Sequence, residues 1–285
     1  MSCFLWDRVC FYVGMASKQR LDLELVARGL VASRQQAQQL IRAGKVRDGA
    51  GTVLDKPGHD VKDSVQLQVE HPPRFVSRGG EKLLAGLDAF PISVQERICL
   101  DGGISTGGFT DCLLQHGAKR VYGVDVGYGQ TAWSLRTDDR VVLRERTNLR
   151  HLQPEGLYGE ADPWPTLAVT DVSFISLRLI LPALRRLLLG AEAEALVLVK
   201  PQFEVGRDRV GRGGVVRDPA AHCDAIEMVM KAAEALDWHA QGLVASPITG
   251  PAGNHEYLLW LGATRTEPGF DLQRLVNTTL HSAVK

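Results

Sequence analysis

The sequence lacks paired cysteines, long apolar runs and an excess of either charge. Its five cysteines are scattered, with no C-x-x-C spacing, so we expect neither a disulfide framework nor a metal site. No stretch reaches the roughly 18 apolar residues that a membrane helix requires. The first fifteen residues are apolar, but Asp7 and Arg8 interrupt them, which is atypical of a signal peptide. We therefore predict a cytoplasmic protein whose residues 1–16 form a disordered extension.

The balance of charge hides a small asymmetry along the chain. Lys+Arg and Asp+Glu both count 33, yet residues 17–77 hold ten basic and seven acidic residues, a net charge of +3. The remainder is correspondingly acidic, so binding to a polyanion is expected at the front. A length of 285 residues is sufficient for two domains.

The basic front has the pattern of a small α+β domain. Leu21 and Leu25 have helical spacing, and Ser33 precedes a second helix whose apolar stripe includes Ala37 and Ile41. Short valine-rich strands follow. Basic side chains on or just after the second helix form a ridge that can follow a phosphate backbone. The predicted RNA-binding residues of this ridge are Arg34, Arg42, Lys45 and Arg47.

Beyond the prolines of residues 72–73, strands alternate with helices. The predicted strands cover residues 97–101, 121–125, 141–144, 167–172, 195–199, 242–245 and 257–261, and the predicted helices cover residues 107–116, 176–189 and 219–236. This alternation predicts an α/β fold with a largely parallel sheet covered on both faces. Ligands of such sheets bind at the carboxyl ends of the strands.

A glycine-rich turn follows the first of these strands and opens a helix. Its glycines allow a ligand to approach the backbone closely. Asp125 ends the next strand, 22 residues after Gly103, where a carboxylate can bind the ribose hydroxyls of an adenosine. This spacing suits NAD and S-adenosylmethionine equally, but the G-x-G-x-x-G pattern of NAD sites is absent. The predicted cofactor-binding residues are Asp101, Gly103, Ser105, Thr106, Gly107, Gly108, Asp125 and, against the adenine, Asn148.

Charged residues mark the same edge of the predicted sheet. Asp171 and Lys200 each end an apolar run, where a charge is costly unless it is paired. With Lys82 and Glu256 they resemble the Lys-Asp-Lys-Glu tetrad of FtsJ-like RNA 2′-O-methyltransferases. That resemblance implies that the four are catalytic, with Lys200 taking the proton of a ribose hydroxyl. Whether Lys200 is a true base or an orienting group is left open.

The wider resemblance is to the TlyA, or haemolysin-A, family. Residues 20–61 resemble the RNA-binding domain named after ribosomal protein S-4. Seven later segments resemble the family's motifs in order: SRGGEKL, STGGFTD, GVDVGYGQ, ERTN, TDVSFISL, VKPQFE and NHEYLLW. The family usually has valine and alanine where this chain has Gly102 and Ile104.

The resemblance implies both an organisation and a reaction. We predict an S-4 type domain at residues 17–71, a linker at 72–77, a Rossmann-like, seven-stranded, mostly parallel methyltransferase domain at 78–268 and a tail at 269–285. The implied reaction is S-adenosylmethionine-dependent methylation of a cytidine 2′-hydroxyl in 16S and/or 23S rRNA, without a metal. The substrate is rRNA, either free or in a ribosomal subunit.

A glycine-rich basic segment follows Lys200. Residues 203–219 are predicted to form a mobile flap over the RNA, with Arg207, Arg209 and Arg212 as RNA-binding residues.

Three other functions compete with the methyltransferase. A non-catalytic ribosome assembly factor would not need the tetrad, a pore-forming haemolysin would need an amphipathic membrane segment, and a pseudouridine synthase would leave the glycine turn unexplained.

Overall fold

The chain folds as two compact units, and each has its own hydrophobic core. A computed structural model describes residues 18–70, 73–265 and 269–282. The contacts divide the chain between residues 72 and 73. The predicted extension at residues 1–16 lies outside the described residues, as does Pro72 at the start of the predicted linker.

The first unit packs two helices against short antiparallel strand pairs. Its elements are β1 (Lys18–Arg20), α1 (Leu21–Ala27), α2 (Arg34–Arg42), β2 (Val46–Asp48), β3 (Asp60–Lys62) and β4 (Leu67–Val69). Strand β1 pairs with β3, and β2 pairs with β4. The predicted helix cap is confirmed, because the Ser33 hydroxyl accepts a hydrogen bond from the Gln36 amide at 3.2 Å. Leu21, Leu25, Ala37 and Ile41 are fully buried, as their helical spacing requires.

The second unit is built on a sheet that has seven strands within the described ranges. They are β5 (Ile98–Gly102), β6 (Arg120–Val124), β7 (Val141–Arg144), β8 (Leu167–Thr170), β9 (Glu194–Val199), β10 (His239–Ala245) and β11 (Tyr257–Gly262). Their order is β10-β11-β9-β8-β5-β6-β7, and among these strands β11 alone runs in the direction opposite to the others. The predicted mostly parallel α/β fold is therefore confirmed.

Helices cover both faces of this sheet. They are α3 (Gly79–Ala89), α4 (Gly108–Gln115), α5 (Trp133–Arg136), α6 (Leu177–Arg186), α7 (Pro201–Glu204), α8 (Pro219–Glu234) and α9 (Leu272–Ser282). Successive side chains of a strand point to opposite faces. Leu196 and Leu198 accordingly join one buried cluster, and Val197 and Val199 join the other. The strands are buried on both sides, which explains their continuous apolar runs.

Three segments differ from the sequence-based expectation. Helix α3 was not predicted. The described part of the expected tail contains α9, whose Val276 is fully buried in the core. The described part of the expected linker is packed, since Phe75 is 3% exposed and its ring lies where a side chain on Gly80 would stand.

Candidate active site

A cavity opens at the carboxyl ends of the central strands of the second unit. Its volume is about 650 Å³, within the usual range for small-ligand sites. The sheet runs in one direction from β5 through β6 to β7, and in the other from β5 through β8 to β9. The cavity lies at this switch point, where open α/β sheets bind their ligands. It is lined by residues from the glycine-rich turn, the ends of the strands and the start of α3.

The glycine-rich turn lines the cavity and requires a glycine at Gly103. Gly103 has φ +86°, a left-handed conformation, and a side chain there would lie 3.0 Å from Val172 Cγ1. Ser105, Thr106 and Gly108, three of the predicted cofactor-binding residues, also line the cavity.

Asp125 faces the same cavity from the end of β6. Its Oδ2 accepts a hydrogen bond from the Ser105 amide at 2.8 Å, and its Oδ1 accepts one from the Gly127 amide at 2.6 Å. These bonds fix the carboxylate between two loops. Each oxygen keeps further acceptor capacity for a ribose hydroxyl. Asn148 also lines the cavity, and its Oδ1 caps a short turn by accepting a hydrogen bond from the Arg150 amide at 3.1 Å.

Two predicted cofactor residues stand behind the cavity wall. Asp101 is fully buried, and its Oδ2 accepts a hydrogen bond from the Thr110 hydroxyl at 2.7 Å. Burial raises the pKa of Asp101 to about 7. Gly107 begins α4 with φ +99° and packs against Leu135. Neither residue lines the cavity. Both therefore support the turn from behind.

The two departures from the family pattern occur at tightly packed positions. A side chain on Gly102 would lie 2.7 Å from Leu149 Cδ2, so a larger residue would require Leu149 to move. Ile104 is 3% exposed and contacts the backbone at Gly123. The larger Ile104 side chain is thus accommodated in the core beside the cavity.

The four predicted catalytic residues meet at the cavity wall. Lys82 Nζ lies 2.6 Å from Glu256 Oε2 and 3.6 Å from Asp171 Oδ2. Lys200 Nζ lies 2.5 Å from Asp171 Oδ1. Asp171 therefore bridges the two lysines. Both lysines and Glu256 are buried, but all four residues line the cavity.

One further contact within this cluster was missed in the sequence. Lys200 Nζ donates a hydrogen bond to Ser173 Oγ at 2.7 Å. Ser173 lies two residues after Asp171, on the loop between β8 and α6, so its proximity in sequence was an available signal. The loop is tied to α7 by Glu204, which accepts hydrogen bonds from the Ser176 hydroxyl at 2.5 Å and the Leu177 amide at 2.7 Å.

The predicted RNA-binding ridge lies on the surface of the first unit, but two of its members have acidic partners. Arg34 Nε donates a hydrogen bond to Asp22 Oδ2 at 2.9 Å, and Lys45 Nζ donates one to Glu70 Oε1 at 2.6 Å. Arg42 and Arg47 are exposed. The acids are distant in sequence from the second helix, so its local pattern could not reveal them.

The predicted basic flap is more ordered than its glycine content suggested. It contains two short 3₁₀ turns, at Arg207–Arg209 and Arg212–Gly214. Arg209 forms ion pairs with Asp218, at 3.1 Å, and with Asp224. The Val216 amide donates a hydrogen bond to Asn254 Oδ1. Arg207 and Arg212 are exposed, whereas Arg209 is engaged within the protein.

The fold and the site define a methyltransferase of the FtsJ-like class that carries a separate RNA-binding domain. The model of the FtsJ-like methyltransferase family matches residues 75–263, and the model of the S4 domain matches residues 19–67. S-adenosylmethionine is the cofactor of this class. The glycine-rich turn and the fixed carboxylate of Asp125 line one cavity, and both fit that cofactor.

Comparison with individual relatives identifies the family within this class. The 16S/23S rRNA (cytidine-2'-O)-methyltransferase TlyA of Mycobacterium tuberculosis is 50% identical over 95% of this chain and 98% of its own. Hemolysin A of Brachyspira hyodysenteriae is 41% identical over 84% of this chain and 98% of its own. A solved structure from Streptococcus thermophilus, of a protein grouped with the hemolysins, has a TM-score of 0.69 and 40% identity over 94% of this chain and 97% of that one. The chain belongs to the TlyA family.

The hemolysin names of some relatives raise the question of a membrane. No helix in the described part of the chain is long and apolar enough to cross one.

Proposed function

We propose that this protein transfers a methyl group from S-adenosylmethionine to the 2′-hydroxyl of a cytidine in 16S and/or 23S rRNA, in the cytoplasm. The observation that carries the proposal is the buried cluster of two lysines and two acids on a cavity that also presents Asp125 and the glycine-rich turn. The named activity of the M. tuberculosis relative supplies the substrate. The basic surface of the first unit supports RNA as the molecule bound there.

The cofactor would be held by the turn and by the ends of the two strands that follow it. Asp125 would accept the ribose hydroxyls of the adenosine, and Asn148 would offer its amide Nδ2 to the adenine. Gly103 would allow the ligand to lie against the backbone. S-adenosylmethionine supplies a methyl group that is already activated by a positively charged sulfur.

The tetrad would align and deprotonate the ribose hydroxyl. Lys200 Nζ donates one hydrogen bond to Ser173 Oγ and lies 2.5 Å from Asp171 Oδ1 as an ion-pair partner, whereas an amine nitrogen has three positions besides its carbon. The third position is available for the 2′-hydroxyl. Lys82 contacts Asp171 from the other side and is itself paired with Glu256. The residues thus fix the direction in which Lys200 meets the oxygen, which is the geometric requirement of an in-line transfer.

Substitution of Lys200 tests the assignment. Lys200→Ala should reduce methyl transfer by about 10²-fold or more, the scale for a positioned proton-transfer group, with cofactor and RNA affinities nearly unchanged. Lys200→Arg keeps the charge but cannot release its proton. No rescue by arginine indicates a base, and partial rescue indicates an orienting group. Lys231→Ala, an exposed lysine on α8, is the matched control. Wild-type rates in Lys200→Ala would contradict the tetrad assignment.

The substrate is tested by mapping the methylated nucleotide. The protein is incubated with labelled cofactor and either free 16S and 23S rRNA or intact ribosomal subunits. We expect label on a cytidine 2′-oxygen, and the preferred form of the substrate follows from the comparison. Tight RNA binding without transfer to either form would favour a non-catalytic assembly factor instead.

A further inference from the structure

Ser173 lines the cavity, and the mechanism proposed above gives its hydroxyl no part in the chemistry. Its hydroxyl accepts a hydrogen bond from Lys200 Nζ at 2.7 Å. The Lys200 side chain is 8% exposed, whereas Ser173 is exposed and lines the cavity. The hydroxyl therefore connects a buried amine to solvent. A serine hydroxyl can accept one proton while it donates another.

The segment that follows Ser173 is held by its backbone conformation and by contacts with α7. The next residue, Phe174, has φ +64°, a conformation that is unfavourable for residues other than glycine and that persists only where surrounding contacts impose it. The Phe174 ring lies 5.3 Å from the Phe203 ring, centroid to centroid. Glu204 fixes the same loop through the Ser176 hydroxyl. Strained residues of this kind cluster at functional sites.

The other neighbour of the amine is less suited to carry a proton away. Asp171 contacts both Lys200 and Lys82. A proton placed on Asp171 would remove the negative charge that both lysines share in a buried cluster. Ser173 bears no charge, so a proton can pass through it without changing the charge balance of the tetrad.

We propose that Ser173 is a proton-relay residue that passes to solvent the proton that Lys200 takes from the RNA. This inference rests on the proposed function. In the first step the ribose O–H bond breaks and an N–H bond forms on Lys200 Nζ. The electron pair freed on the ribose oxygen would form the bond to the methyl carbon, and the C–S bond of the sulfonium would break to leave a neutral thioether. In the relay step one N–H bond of Lys200 breaks as its proton moves to Ser173 Oγ, and the original Oγ–H proton passes to a water molecule. Lysine and serine both end neutral, and the buffer takes up the proton from the hydronium ion.

The test is steady-state methylation of RNA by Ser173→Ala and Ser173→Thr, with and without imidazole as a small external base. For Ser173→Ala we expect kcat to fall at least about 10-fold, less than on loss of the proton-transfer group itself, with little change in KM. Imidazole should raise this rate in proportion to its concentration. Ser173→Thr keeps the hydroxyl and should retain most activity. Ser134→Ala, an exposed serine outside the cavity, should match the wild type.

Each remaining outcome has a defined meaning. A wild-type kcat in Ser173→Ala overturns the relay. So does a slow Ser173→Ala that imidazole does not accelerate, because Ser173 would then only orient Lys200. Loss of activity in Ser173→Thr also counts against the relay if its thermal unfolding matches the wild type. If the wild type and Ser134→Ala transfer no methyl group, the proposed function fails rather than the relay.

Discussion

Breaking the buried pair between Lys82 and Glu256 should reduce stability as well as activity. The two charged groups lie 2.6 Å apart, and their side chains are 9% and 2% exposed. With both lysines protonated, the formal charges of the two lysines and the two acids cancel. Glu256→Leu then leaves one uncompensated positive charge on a buried side chain. Asp171, 3.6 Å from Lys82 Nζ, can compensate only in part because it also contacts Lys200.

The expected magnitude follows from this geometry. Removing one partner of a buried ion pair costs about 3–5 kcal/mol, and partial compensation by Asp171 places Glu256→Leu near the lower end. A loss of about 3 kcal/mol lowers Tm by roughly 6–12 °C in a protein of this size. Replacing both partners, as Lys82→Met with Glu256→Leu, leaves Asp171 and Lys200 as a balanced pair. We expect the double variant to recover most of the lost stability and to remain inactive.

The assay is a double-mutant cycle measured by thermal and urea denaturation of the wild type, both single variants and the double variant. The matched control is the same cycle on Arg140 and Asp138, an ion pair of 2.7 Å with side chains 47% and 23% exposed. Its coupling should stay below about 1 kcal/mol. The reasoning is refuted if Glu256→Leu is no more destabilising than Asp138→Leu, or if the double variant is as unstable as the worse single variant.

Other consequences concern the cofactor, pH and RNA. Asp125→Ala should weaken S-adenosylmethionine binding by about 1–3 kcal/mol, and unchanged affinity in calorimetry would remove Asp125 from the site. The raised pKa of Asp101, about 7, means that the folded protein retains a proton that the unfolded chain releases above about pH 4. Stability should therefore fall as pH rises from about 4 to 7, and Asp101→Asn should flatten this fall in urea denaturation; an unchanged pH dependence would contradict the assignment. Arg42→Gln should reduce the slope of log affinity against log salt by about 0.7–0.9 in RNA-binding titrations. Arg209→Gln should change it less, because Arg209 already pairs with two acids, and equal effects would argue against this distinction.

The sequence predicted the strand ends well because apolar runs that stop at a charge are informative. Asp171 and Lys200 directly follow β8 and β9, which end within two residues of the predicted strand ends at 172 and 199. Lys82 was chosen only by resemblance, since its helix was not recognised, and it lies 2.6 Å from Glu256. Two glycines open α3 and weaken its helical signal. One of them, Gly80, is required because Phe75 occupies the space of a side chain, a long-range fact that local propensity does not contain.

The sequence analysis mainly missed contacts between residues that are far apart in the chain. The contacts of Arg34 with Asp22 and of Lys45 with Glu70 join residues far apart in sequence. The sequence also could not show which way a side chain at the end of a strand points. Asp101 lies in β5, two residues before Gly103 of the cavity wall, yet its side chain is fully buried and contacts Thr110. Alternation along the strand fixes two faces, but only the packed structure identifies which one carries the cavity.

The antiparallel strand explains why Glu256 can belong to the tetrad at all. In a parallel sheet, residues that end strands meet at one edge, and residues that begin strands meet at the other. Lys200 follows β9, whereas Glu256 precedes β11, so two parallel strands would place them at opposite edges. Strand β11 runs against β9, and its first residue, Tyr257, pairs with Val199, the last residue of β9. The reversal therefore brings the residue before one strand beside the residue after the other, and a fourth charged group reaches the edge where the cavity lies.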